Sequence, residues 1–125
     1  MIGRWERTLL VGGALAGLSG VALSALSAHV TGAGSLETAA RFLLLHAPVL
    51  LAIAALTGQR YIHRGFGRSA GFAIGLGLIL FCGDLSVRAL LQAAPIPLAA
   101  PTGGVVLMLG WGALALAAIA RDHRA

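Results

Sequence analysis

The sequence has no lysine, a single cysteine and only four acidic residues. Charged side chains make up 10% of its 125 residues, against roughly 25% in soluble domains. That scarcity excludes a soluble globular surface. With 58% hydrophobic residues and a mean hydropathy of +0.92, the apolar area must be covered by lipid. One cysteine, Cys82, can form no internal disulfide; inside an apolar segment it reads as a small buried hydrophobe. In the absence of lysine, the net charge of +5 rests on arginine alone. These arginines sit mostly between apolar segments and form no basic stripe with interleaved aromatics, so the charge is not a nucleic-acid signal. The serines Ser19, Ser24, Ser27 and Ser86 lack a GxSxG context. The glycine-rich stretches lack a phosphate-loop lysine, and no Cys/His spacing suits zinc. The expectation is therefore a protein that is not an enzyme, with no metal and no cofactor.

What is present is four apolar stretches, 8–28, 37–57, 69–91 and 101–120, each about 30 Å long as a helix, enough to cross a bilayer. They predict an all-α fold, one domain over 1–125, with four transmembrane helices in a compact bundle. The first stretch, ending in Ala25–Leu26–Ser27–Ala28, is similar to a secretory signal and is expected to be retained as a span. Arg4, Arg7, Arg60, Arg64, Arg68, Arg121 and Arg124 fall on one side of the bundle, and Arg41 and Arg88 on the other. The positive-inside rule then places both termini and the middle loop in the cytoplasm. The localisation expected is the bacterial inner membrane, multi-pass.

Small residues recur along these spans. Gly13 and Gly17 are four apart; Gly67, Gly71, Gly75 and Gly83 form a longer stripe; Gly103 and Gly110 share a face in the fourth span. Such spacing lets helix backbones approach closely, within the bundle or against a partner. Pro48 removes the donor for the Leu44 carbonyl and predicts a kink. Ser35 is placed to cap the second helix, and Pro101 to open the fourth.

The topology gathers polar groups in the outer half of the membrane: His29, Glu37, Arg41, Asp84 and Arg88, with Thr102. Glu37–Arg41 and Asp84–Arg88 are acid-then-arginine pairs at i,i+4, the favourable order. They read either as an outward-facing polar pocket or as structural clamps whose arginines snorkel to the headgroups. His46 is about half a turn around the helix from Glu37. Its face, with Ala39, Phe42, Leu43, Val49 and Ile53, reads as bundle interior. A core histidine bonded to a backbone carbonyl or hydroxyl is one reading; a lipid or quinone contact is another. Haem would need a second axial ligand, and His29 is too near the surface. The small four-span drug exporters use an acid within the first span; 8–28 contains none.

A further pattern is Ala28–His29, Glu37–Thr38–Ala39 with Arg41 and His46–Ala47, then Phe81–Cys82–Gly83, then Pro101–Thr102–Gly103–Gly104 before Gly110–Trp111. In this order it resembles the YgdD-like family of small bacterial inner-membrane proteins, a domain of unknown function with eukaryotic relatives. The resemblance implies four helices in the inner membrane and supplies no catalytic residues. Asp84 stands where such families typically show serine. The functional expectation is a small accessory or structural subunit, in contact with membrane lipids and packed against other membrane protein subunits. The alternative is a lipid- or quinone-binding protein or small transporter.

Overall fold

The computed structural model describes residues 2–30, 32, 34–93 and 96–120. The charged tail 121–125, with Arg121 and Arg124, and Pro95 lie outside the described residues. All regular structure among the described residues is helical: α1 (Arg4–Ser27), α2 (Gly34–Gly58), α3 (Arg64–Leu91) and α4 (Ala99–Ile119). Each is long and apolar enough to cross a membrane.

All four helices begin before the apolar stretches do, α1 at Arg4 and α3 at Arg64 by about a turn or more. At the edge of the hydrocarbon a helix still satisfies its own N–H and C=O groups, so polar residues continue it. Glu6 thereby becomes part of the first helix, which does carry an acid, two residues ahead of the uncharged run. Ser35 lies inside α2, not ahead of it, and α2 runs through Pro48 as one helix. Pro101 falls in the first turn of α4, where an N–H would have no intrahelical partner in any case.

The helices run antiparallel in sequence order. Each packs closely on the next, and α1 also touches α3 lightly. The inner pair, α2 and α3, is the more buried; α1 and α4 flank it. No Cα of α4 comes within 8 Å of one in α2 or α1 among the described residues. The core runs through Leu9, Leu50, Ile53, Ile74, Leu78 and Leu107.

Glycine sets the closest crossings. A methyl at Gly13 would lie 3.0 Å from the Ala47 carbonyl, and one at Gly20 would meet Leu44. Gly17 is looser, 3.7 Å from Ala47 Cβ. Gly67 packs on Thr57 and Ile62, and Gly71 on Leu9 and Ile53. Gly103 lies against Gly77, and Gly110 against Ile74. Gly75 and Gly83, expected on the same packing stripe, have nothing within 4 Å. A four-residue repeat advances about 40° per step around an α-helix, so the stripe that faces α1 and α2 at Gly67 and Gly71 has turned away by Gly75. The α4-facing glycine of α3 is Gly77, which lies off that stripe.

The connections are short. Gly32 supplies the left-handed backbone (φ 74°) of the first turn, open to glycine without a Cβ penalty. His63 caps α3, its Nδ1 accepting from Phe66 N–H at 3.3 Å. Its own backbone N–H donates to Ala117 O at 2.9 Å, which ties the second connection to the end of α4.

Candidate functional site

Among the described residues, the polar groups singled out from the sequence pair locally, and no hydrogen bond or ion pair joins Glu37–Arg41, Asp84–Arg88 and His46 to one another. Glu37 and Arg41 bond each other along the exposed face of α2. Asp84 and Arg88 do the same on α3, with Arg88 Nε donating to Oδ2 at 2.9 Å. The two pairs differ in depth. The Asp84 side chain is 1% exposed while its arginine is 45% exposed, so Arg88 reaches from a buried carboxylate out toward the headgroup layer, burying its stem on the way. Asp84 Oδ1 has no hydrogen-bond partner. Asp84 stands seven residues beyond Gly77 and so on the α4-facing side of α3. His29 is exposed after the end of α1, its backbone N–H held by Leu26 O.

His46 is buried in the bundle, 3% exposed. Its Nδ1 is 2.7 Å from Phe42 O, and its Nε2 is 3.2 Å from Trp111 Nε1. An indole N–H can only donate and a carbonyl can only accept. The pair therefore assigns the neutral tautomer, with the proton on Nδ1 and a lone pair on Nε2. The carbonyl bonded is that of Phe42, one helical turn back, and not the Leu44 carbonyl freed by Pro48. Phe42 stacks on the imidazole and lies 4.6 Å from the Phe81 ring. Trp111 meets His46 edge-on.

A second polar centre escaped sequence reasoning. Glu6 is 2% exposed, and its Oε1 accepts from Arg68 Nε at 3.0 Å. The Glu6 Cγ also lies against Gly58 at the end of α2, so this side chain meets α2 and α3 at one end of the bundle. The sequence did carry a signal. The buried positions of α1 are Glu6, Leu9, Gly13, Ala16 and Gly20, spaced three and four apart, and the same helical register runs back onto Glu6. Close by, Thr57 is fully buried under Gly67, with Oγ1 unpartnered. An orphaned hydroxyl costs about 1–3 kcal/mol. Thr57→Val, of the same shape, is expected to raise stability by about 1 kcal/mol, read from thermal unfolding in detergent micelles.

Among the described residues, two grooves along the helices share no lining residue. One runs between α1 and α3, where two adjoining cavities of about 410 and 300 Å³ share Gly12, Leu50, Gly75 and Ile79. Together they extend from Thr8 to Leu23 on α1 and from Gly71 to Ser86 on α3, about 22 Å at helical rise. The other, of about 500 Å³, lies between α2 and α4 and is walled by Phe42, His46, Phe81 and Trp111. Both are almost wholly apolar, and neither contains Glu37, Asp84 or the arginines. No group of three or more His, Cys, Asp or Glu residues among those described is placed to hold a metal ion.

Comparison with known proteins agrees with this architecture. A family model described as protein of unknown function (DUF423) matches residues 22–104. The inner membrane protein YgdD of Escherichia coli strain K12 is 33% identical over 121 residues, covering 91% of each chain. YgdD of Shigella flexneri is similar to the same extent. No solved structure matches the chain.

Proposed function

We propose that this chain, which belongs to the YgdD-like (DUF423) family of inner-membrane proteins and has most of its residues in four helices able to cross a membrane, acts inside the bilayer as an accessory subunit. Its α1/α3 groove receives a transmembrane helix of a larger membrane protein. The observation that carries this reading is the division among the glycines. Gly13, Gly20, Gly67, Gly71, Gly77, Gly103 and Gly110 are used up in the chain's own crossings, whereas Gly12 and Gly75 have no neighbour within 4 Å and border an apolar groove. Small residues along a groove of about 22 Å are what close approach by another helix backbone requires. The connections are too short to form a docking domain outside the membrane, so recognition falls to the spans.

Gly75→Leu is the direct test. The added Cβ meets nothing within 4 Å, and the rest of the leucine side chain fills the groove. The wild-type protein, extracted in mild detergent, is expected to run as a discrete assembly, with a photocrosslinker at position 75 joining one defined partner. Gly75→Leu is expected to run as a monomer of unchanged helicity and thermal stability. A wild-type protein that elutes as a lone monomer with lipid, or an assembly that survives Gly75→Leu, overturns the proposal.

A further inference from the structure

The α2/α4 cleft is a different kind of cavity, and it carries a ligand reading of its own. Helices α2 and α4 make no close backbone approach. What spans the gap is the hydrogen bond from Trp111 Nε1 to His46 Nε2. The cavity above it, about 500 Å³, lies within the range of small-molecule sites, roughly 300–1,000 Å³. It extends from Pro101 to Trp111 along α4, about 15 Å. Its walls are unusually aromatic for so small a chain: Phe42, Phe81 and Trp111 all line it, out of four phenylalanines, two tryptophans and one tyrosine in the whole sequence. The lining is otherwise apolar, with Gly104 opposite Phe81 leaving a flat, unfilled space.

The polar chemistry within it is specific. The His46 proton is committed to Phe42 O, so Nε2 offers a lone pair. Trp111 offers an N–H beside it. One donor and one acceptor, side by side at the floor of an aromatic cleft, complement a hydroxyl group. Such a group donates its O–H to His46 Nε2 and accepts from Trp111 Nε1–H. A carbonyl alone would pair with the indole and leave Nε2 without a donor. We infer that this cleft binds a lipid-soluble hydroquinone, its ring among Phe42, Phe81 and Trp111 and one ring hydroxyl inserted between His46 and Trp111. The tail leaves through the open side of the cleft into the bilayer. Insertion exchanges one hydrogen bond between the helices for two to the ligand, so no buried polar group is left unpaired.

The test uses protein labelled with ¹⁵N at the indole nitrogens, in micelles, titrated with a short-chain dimethoxy-methyl-benzohydroquinone. The sequence holds two tryptophans, and Trp5 packs on Phe72 away from the cleft; Trp5→Phe identifies the Trp111 signal. A saturable shift of the Trp111 indole resonance is expected, with Trp5 unmoved. The di-O-methyl ether of the same ring, which lacks the donor, is expected to bind at least tenfold more weakly. Gly104→Leu fills the cleft while its Cβ meets only Phe81, at 4.0 Å; it keeps the His46–Trp111 pair and is expected to lose the shift. His46→Ala is expected to lose it as well. No saturable shift in the wild type, equal binding of the ether, or unchanged binding in Gly104→Leu each overturns the inference. The readout is independent of the α1/α3 groove, so it stands or falls separately from the accessory-subunit reading.

Discussion

Replacing Glu6 with alanine is expected to destabilise the bundle by about 3 kcal/mol, the lower end of what removing one partner of a buried ion pair costs. The carboxylate is 3% exposed at its side chain while Arg68 is 28% exposed. The penalty for the abandoned guanidinium is therefore partial, because Arg68 can turn toward the interface. Against that, Glu6 also fills the space between Gly3, Gly58 and Arg68, and alanine leaves that space empty. The expected result is a lowered unfolding temperature, measured by circular dichroism in micelles, with α1 separating from α3 first. The double variant Glu6→Met, Arg68→Leu removes both charges and keeps volume. It is expected to recover most of the loss, since a buried pair replaced by apolar residues is often neutral. If Glu6→Ala unfolds at the wild-type temperature, the pair is not what holds α1 on α3.

The second large effect is expected at the α3/α4 crossing. A methyl added at Gly103 would lie 2.5 Å from the Phe81 backbone nitrogen and 2.9 Å from Gly77 O. Both are backbone atoms, which cannot turn aside as a side-chain end can, so the helices must separate. Overpacking of this kind costs about 1–3 kcal/mol, and Gly103→Ala is expected at the upper end. Loss of this crossing also moves Trp111 away from His46. Gly75→Ala, on α3, is the control: the same change of residue in the middle of a helix of the same bundle, where the added methyl meets nothing within 4 Å. Alanine is the better helix former there by about 0.5–1 kcal/mol, so this variant is expected to be as stable as wild type or slightly more so. Paired thermal melts would show opposite signs. If both variants melt alike, the Gly103–Gly77 contact does not set the helix spacing.

These two sites show how far the sequence can be read. The Glu37–Arg41 and Asp84–Arg88 pairs were legible because they are local, closed within one turn of one helix. The Glu6–Arg68 and His46–Trp111 bonds join residues 62 and 65 apart, and nothing in the spacing of one helix names its partner on another. The glycines fall between these cases. Gly13, Gly67, Gly71, Gly103 and Gly110 lie where an added Cβ would meet a neighbouring segment. Gly75 and Gly83 share the spacing of Gly67 and Gly71 and pack on nothing, while Gly77 breaks it and makes the tightest crossing with α4.

The sequence by itself determined the solvent, the number of spans and their helical class. In hydrocarbon every backbone polar group must be satisfied within its own segment, and four apolar stretches of bilayer length leave one solution. Tertiary structure alone decided which face of each helix meets which neighbour. The order α1–α2–α3–α4 leaves α2 and α4 apart, opening the aromatic cleft at His46, and leaves a groove between α1 and α3 along Gly12 and Gly75. The reason is physical. Periodicity gives an angle around a helix axis, but with lipid as apolar as the side chains, no difference in solvent affinity selects the angle that turns inward. That choice is made by backbone clearance and by pairing of the few polar groups, and both depend on two helices at once.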